Sequence, residues 1–211
     1  MKHSELKLFK KEGKKITCLT AYDASMAKLI DTSGVDIILI GDSLGMVIQG
    51  SSNTRSVLMS DMIYHTEIVA KASNQALILA DMPFESYNNV KSAVANANEL
   101  IANGADMVKI EGGSEHIKVI KAMISNNIHI CGHLGLQPQL IIDSSGYKIQ
   151  GRNNKSAEKI MSDSILLESL GVSALVLECI PSTLAKKISK ELIIPTIGIG
   201  AGAKCDGQVL V

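Results

Sequence analysis

Ile37-Ile-Leu-Ile-Gly-Asp42, Leu77-Ile-Leu-Ala-Asp81, Met107-Val-Lys-Ile-Glu111 and Ala174-Leu-Val-Leu-Glu178 decide how this chain folds. Each is a short apolar run that ends on a carboxylate. A continuous run of this kind reads as a strand buried on both faces, as in a parallel sheet covered by helices. In such folds ligands bind at the carboxyl ends of the strands. Negative charge gathered there is costly unless a cation or a substrate meets it. The four runs therefore predict an acidic, metal-binding active site at one edge of the sheet.

Working outward, three junctions repeat one pattern: Gly34-Val-Asp-Ile-Ile-Leu-Ile, Gly104-Ala-Asp-Met-Val-Lys-Ile and Gly171-Val-Ser-Ala-Leu-Val-Leu. A glycine just past a helix supplies the left-handed cap, and an apolar strand follows. Before the second junction, Val90, Ala93, Val94, Ala97 and Ile101 form the stripe of a helix lying on a sheet. Ile117, Ile120 and Ile124 make a narrower one. The reading gives strands at 16–22, 37–42, 77–81, 107–111, 128–132, 174–178, 194–199 and 207–211, with helices at 24–33, 60–72, 90–103, 115–126, 156–170 and 182–190. Asp23 and Ser60 are the expected caps of the first two helices. Eight strands alternating with helices predict an α/β fold, a (β/α)8 TIM barrel in a single domain spanning 1–211. The polar, glycine-containing stretch 136–155 breaks the rhythm and is expected to cover the site.

A barrel of this kind typically has about 250 residues, and this chain has 211. The eighth apolar run ends at Val211, leaving no sequence for an eighth helix. The outer faces of the last and first strands are then expected to lie open, unless a neighbouring subunit or residues 1–15 cover them.

Composition narrows the chemistry. Lys and Arg number 21, as do Asp and Glu, and no Trp is present. Neither a basic surface nor an aromatic platform points to nucleic acid, and no charge excess points to a membrane. The charged N-terminus does not fit a signal peptide, and no apolar stretch is long enough to span a bilayer. Cys18, Cys131, Cys179 and Cys205 lie in or beside apolar runs without paired metal-ligand spacing, and are expected to be buried reduced thiols of a cytoplasmic protein.

Asp42, Asp81 and Glu111 fall 39 and 30 residues apart, which places three carboxylates on neighbouring strands at one rim. Such anions repel and raise one another's pKa; either a hard divalent ion with oxygen ligands, Mg2+ above all, removes the penalty, or one or more of them cap loop amides or pair with Lys. Lys109 shares the strand face of Glu111. It serves either a structural ion pair or recognition of a substrate carboxylate. His133 follows the fifth strand and is either a structural hydrogen-bonding residue or a catalyst; His129 reads as structural. Glu178, across the barrel from the acids, is either placed to move a proton or a salt-bridge partner. Gly198-Ile-Gly-Ala-Gly202 is a weak phosphate-cradle signal, since no Lys-Ser/Thr follows it.

The segments that carry these residues resemble the ketopantoate hydroxymethyltransferase family. They are Thr20-Ala-Tyr-Asp23, Gly41-Asp-Ser-Leu-Gly-Met46 with Gln49-Gly50, Leu79-Ala-Asp-Met-Pro-Phe84, Met107-Val-Lys-Ile-Glu-Gly-Gly113 and Cys131-Gly-His-Leu-Gly-Leu136. Further along come Gly146-Tyr-Lys-Ile-Gln-Gly151, Leu177-Glu-Cys-Ile-Pro181, Gly198-Ile-Gly-Ala-Gly202 and Asp206-Gly-Gln208. No single segment is specific; together and in order they are. The resemblance implies that Asp42 and Asp81 hold Mg2+, with Glu111 completing the site through water. It implies that Ser43, Lys109, Asp42 and Asp81 contact the oxo acid, that His133 hydrogen-bonds it, and that Glu178 is the proton acceptor. It further implies a (β/α)8 barrel assembled as a homodecamer, in which 5,10-methylenetetrahydrofolate gives a one-carbon unit to 3-methyl-2-oxobutanoate, forming 2-dehydropantoate for pantothenate biosynthesis. Family members continue past the Asp-Gly-Gln strand into another helix and tail, which puts stability and assembly of the shorter chain in question.

Two other readings stay open on sequence. One is a related Mg2+-dependent barrel acting on 2-oxo acids, of the isocitrate lyase or phosphoenolpyruvate mutase type. The other is a shortened barrel that survives as a non-catalytic subunit or binding module.

Overall fold

Strict inward–outward alternation builds the barrel. The computed structural model describes residues 3–143 and 146–211. Eight strands, β1 (Ile16–Thr20), β2 (Ile37–Ile40), β3 (Leu77–Asp81), β4 (Met107–Glu111), β5 (Ile130–Gly135), β6 (Ala174–Glu178), β7 (Thr196–Ile199) and β8 (Gly207–Leu210), pair in chain order and close, every pair parallel. Ile37, Leu39, Leu77, Leu79, Met107, Cys131, Ala174, Val176, Ile197 and Val209 fill the interior. Their neighbours Ile38, Ile40, Ile78, Ala80, Val108, Ile110, Leu175 and Leu177 face outward into the core beneath the helices. A strand's side chains alternate with period two. The inward series therefore continues from Leu79 to Asp81, from Met107 to Lys109 and Glu111, from Cys131 to His133, and from Val176 to Glu178. The pattern that packs the barrel also lines its mouth with charge.

The helices are α1 (His3–Glu12), α2 (Ala24–Thr32), α3 (Leu44–Val47), α4 (Met59–Ala72), α5 (Val90–Ala102), α6 (Ile117–Ser125), α7 (Asn154–Leu170) and α8 (Ser182–Glu191). Asp23 caps α2 as expected, accepting from Met26 N at 2.9 Å. Ser60 is not a cap: α4 begins at Met59, and the Asp61 carboxylate accepts from Leu58 N at 2.9 Å. An acid in the first turn reaches back to the N–H of the residue before the helix, a different donor from the one a Ser60 cap would satisfy. Gly171 ends α7 at φ +100°, as the repeated junction predicts.

Three features bear on the expectation: one strand boundary moves, the connection between β7 and β8 is helix-free as the sequence reads, and the flank of β8 and β1 is left open by residues 1–15. First, β5 runs Ile130–Gly135 rather than 128–132, because the ladder to β4 and β6 carries it through Gly132 and His133. His133 thus sits within the strand, not after it. Second, no helix lies between β7 and β8; residues 200–206 return directly, with Gly198 against the Cys205 side chain and Gly202 against Ser182. The glycine-rich segment is spent on close packing. Third, α1 does not lie over β8 and β1. Leu6 is fully buried in the interior cluster, and Lys10 Nζ donates to Ser189 O (2.8 Å) and Ile194 O (2.9 Å) and pairs with Asp206. The helix therefore stops the barrel from its amino-terminal end. The outer flank of β8 and β1 stays open, a groove beside α2 bordered by Leu29, Leu210 and Val211, all exposed.

The four cysteines are free thiols; Cys18, Cys131 and Cys205 are buried, and Cys179 is half-buried. Among the described residues no helix is long and apolar enough to cross a membrane.

Candidate active site

The strand register brings the charged side chains together. Asp81 on β3 is opposite Lys109 on β4, Glu111 is opposite His133 on β5, and Gly135 is opposite Glu178 on β6. Lys109 Nζ lies 3.1 Å from Asp81 Oδ1 and 3.2 Å from His133 Nδ1. His133 Nδ1 is 3.5 Å from Glu111 Oε1, and its Nε2 is 3.1 Å from Glu178 Oε2. Asp42 N donates to Asp81 Oδ2 at 3.0 Å. Ser43, at the start of α3, is held by Tyr22 OH at 2.8 Å. All seven predicted site residues line one cavity of about 200 Å3, whose lining also includes Leu39, Val176, Ile199 and Val209. Charge beside branched aliphatics suits a small, branched anion.

Asp42, Asp81, Lys109, Glu111 and His133 are each only 2–5% exposed. Three carboxylates then share one ammonium out of water. Burial, followed by the charge of Asp81, pushes Asp42 up to about 8, with Lys109 opposing. Burial also raises Asp81, against the pull of Lys109 and the Asp42 N–H. Burial pulls Lys109 down, but Asp81, Glu111 and Asp42 more than offset it, so the ammonium is held above its usual range. For His133, burial and Lys109 disfavour the charged ring, whereas its contacts with Glu111 and Glu178 favour it, and its pKa is raised. An ammonium can only donate. A neutral His133 next to Lys109 therefore accepts at Nδ1 and carries its proton on Nε2, which lies 3.1 Å from Glu178 Oε2 but makes no aligned hydrogen bond.

Among the described residues, no three His, Cys, Asp or Glu side chains converge closely enough to clasp an ion together. The donor chemistry nonetheless fits Mg2+, which uses one or two carboxylates and keeps several waters. Asp42 and Asp81 are adjacent hard donors with excess buried charge. Asp81 Oδ1, although 3.1 Å from Lys109 Nζ, accepts no aligned hydrogen bond and keeps a lone pair for a cation. Glu111 accepts from Gln139 N–H at 3.1 Å, which suits a water-mediated role better than direct ligation.

Sequence reasoning missed Gln139, Tyr87 and Arg55. Gln139 is 3% exposed and its amide reaches Asp42 Oδ2 at 2.7 Å. Nothing in composition or periodicity marks a glutamine in the loop after β5; the one local signal is Pro138, which starts the short 3-10 turn that carries it. The expectation that this loop covers the site holds for Pro138, Gln139 and Tyr147; positions 144–145 lie outside the described residues.

Solved structures share this closed barrel. The crystal structure of phosphonopyruvate hydrolase with oxalate and Mg2+ matches at TM-score 0.74 and 14% identity, covering 99% of this chain and 80% of that one. That of 2,3-dimethylmalate lyase matches at TM-score 0.71 and 12% identity, covering 98% and 79%. At such identity the likeness is one of fold. Sequence goes further: the family description ketopantoate hydroxymethyltransferase matches residues 1–211, and the chain belongs to that family. It is thereby an enzyme, a one-carbon transferase. The 3-methyl-2-oxobutanoate hydroxymethyltransferase of Ruthia magnifica subsp. Calyptogena magnifica is 58% identical over 203 residues, covering 96% of this chain and 78% of the relative. Its counterpart from Vesicomyosocius okutanii subsp. Calyptogena okutanii is 55% identical over 206 residues, covering 98% and 79%.

Proposed function

We propose that this enzyme transfers a hydroxymethyl group from 5,10-methylenetetrahydrofolate to 3-methyl-2-oxobutanoate, giving 2-dehydropantoate on the pantothenate route. The observation that carries the reading is the unbroken series Asp81, Lys109, His133, Glu178, each within 3.2 Å of the next, in one cavity that aliphatic side chains also line. The family match favours this chemistry over a mutase or lyase of the same barrel class.

Lys109 and Ser43 receive the substrate carboxylate, and Val176, Ile199 and Val209 take its branched tail. Asp42 and Asp81 would hold Mg2+, with Glu111 behind them; when bound, the ion supplies Lewis-acid polarisation of the oxo-acid carbonyl. Glu178 removes the C3 proton through one carboxylate oxygen while His133 Nε2–H lies beside the other. The carbanion equivalent at C3 then bonds to the folate's methylene carbon as one of its two C–N bonds breaks; water then displaces the second nitrogen and supplies the new hydroxyl, and the two freed nitrogens take up the proton held by Glu178 and the one released by water. Burial of the reacting groups strengthens each of these electrostatic contacts.

The test is product formation by the purified chain with oxo acid, methylenetetrahydrofolate and Mg2+, followed by NMR. Turnover that needs all three supports the proposal. Folate-independent cleavage of a larger oxo acid would point to the lyase reading, and a folded chain with no turnover to a non-catalytic barrel. We further propose a cytoplasmic homo-oligomer, for which sedimentation reads the size.

A further inference from the structure

Gln139 makes five hydrogen bonds in the mouth of the barrel, and they join the loops that follow four successive strands. Its Nε2 donates to Asp42 Oδ2 (2.7 Å) and to Met82 O (2.9 Å). Its Oε1 accepts from Tyr87 OH (2.6 Å), its backbone N donates to Glu111 Oε2 (3.1 Å), and its carbonyl accepts from Arg55 Nη1 (3.0 Å) and so ties the loop after β2 to it. Tyr87 OH in turn accepts from Glu111 N at 3.3 Å.

The orientation of the amide is dictated by its neighbours. Met82 O can only accept, so the NH2 end must face it, and the second N–H is left pointing at Asp42. Tyr87, taking a hydrogen bond from Glu111 N, is left with its own O–H to give to Oε1. Every polar atom of the residue is committed, and flipping the amide would break three bonds together. Side chains committed in this way fix the rotamers of the groups they touch.

We infer that Gln139 is the positioning residue of the metal site: it holds the Asp42 carboxylate, and through its backbone the Glu111 carboxylate, in the orientation that receives a divalent cation. Tyr87 sets the amide, and the loop after β5 thereby forms part of the site. Groups that orient metal ligands in this manner commonly change metal affinity or activity about tenfold to a hundredfold when removed. The inference rests on the proposal that Asp42 and Asp81 hold Mg2+.

The experiment is Mg2+ titration of the substrate-free protein by calorimetry, with Mn2+ binding followed by electron paramagnetic resonance as a second reading. Gln139→Met keeps the length without the amide, and Tyr87→Phe removes one oxygen at constant shape. Gln139→Met is expected to weaken Mg2+ binding about tenfold or more. Tyr87→Phe should weaken it less, and the double variant should lose less than the sum of the two single losses, because the two share the Tyr87–Gln139 bond. The apparent KM for the oxo acid at saturating Mg2+ should change less than the Mg2+ affinity. Wild-type binding with both variants within twofold of it overturns the role of Gln139 alone. Absence of Mg2+ binding by the wild type overturns the metal assignment and this inference with it. Should Gln139→Met fail to fold, Tyr87→Phe decides by itself.

Discussion

Lys109 Nζ stands 3.1 Å from Asp81 Oδ1, the two residues opposite each other in the β3–β4 ladder and both about 95% buried. It is the one ammonium among the described residues lining the cavity, and it faces Asp42 and Glu111 as well. Removing it strands buried carboxylates without a counter-charge. Lys109→Met should lower metal-free stability by about 3–5 kcal/mol, read as a shift in urea midpoint. The loss should be smaller at pH 5 than at pH 8, since the acids can neutralise themselves by taking up protons. A midpoint that does not move would remove Lys109 as their partner.

Asp42 supplies a prediction with a definite sign. Burial and then Asp81 push its carboxyl up to about 8, while an unfolded Asp ionises near pH ~3.9. Between those limits the native state holds a proton that the unfolded chain has released, so this group's contribution falls as pH rises and levels off above about 8. The proton belongs to the Asp42–Asp81 pair rather than to either alone. Mg2+ needs the ionised form, so its binding at pH 7 should expel a proton. Calorimetry in buffers of differing ionisation enthalpy measures this directly, and a heat independent of buffer would contradict it.

Glu178 Oε2 is 3.1 Å from His133 Nε2, and the carboxylate is 16% exposed where His133 is almost sealed. Both line the cavity, and the base is the more open of the two. With Mg2+ and oxo acid in D2O and no folate, the C3 hydrogen should exchange for deuterium. Glu178→Gln should slow that exchange by about 10²–10⁴-fold while leaving Mg2+ binding within a few-fold. Exchange at the wild-type rate would mean that another group takes the proton.

The strands and the acids at their ends are legible because a doubly buried strand is written as an unbroken apolar run, and Asp81, Glu111 and Glu178 occupy its last inward position. Sequence puts His133 just beyond its strand for a physical reason: Cys131-Gly-His-Leu-Gly135 carries no apolar run, and only pairing with β4 and β6 makes it a strand. Gln139 is invisible because loop residues gain their meaning from what folds against them. Ser60 competes with Asp61 because both chemistries cap a helix, and one residue of helix start separates them. The plug formed by Leu6 is hidden for a different reason: Leu6 and Phe9 make a stripe of only two residues in a short, charged helix, yet both reach the interior cluster.

That plug is testable apart from the chemistry. Leu6 is fully buried at the amino-terminal end, away from the catalytic mouth. Leu6→Ala should cost about 2–5 kcal/mol in urea unfolding, with kcat per folded molecule unchanged. A loss under half a kcal/mol, by about the scale of a neutral surface change, would show that the end of the barrel is not sealed there.

Gly135 tests how tightly the backbone sets the base. It sits at φ +100°, and a Cβ there would meet Glu178 O at 2.1 Å and Ile180 Cγ2 at 2.8 Å. The same carbonyl accepts from Leu136 N at 2.9 Å, so the neighbouring strand end cannot retreat without releasing that bond. Gly34 is a natural control, at φ +78° with nothing within 4 Å of where an alanine methyl would sit. Backbone strain costs both alanine variants about 1–3 kcal/mol; the collision is confined to Gly135→Ala. Gly34→Ala should therefore lose stability but keep its deuterium exchange rate. Gly135→Ala should lose more stability and also exchange, because Glu178 and His133 are displaced from their 3.1 Å contact. Equal costs with exchange intact in both would show that the carbonyl of Glu178 can move without disturbing its side chain.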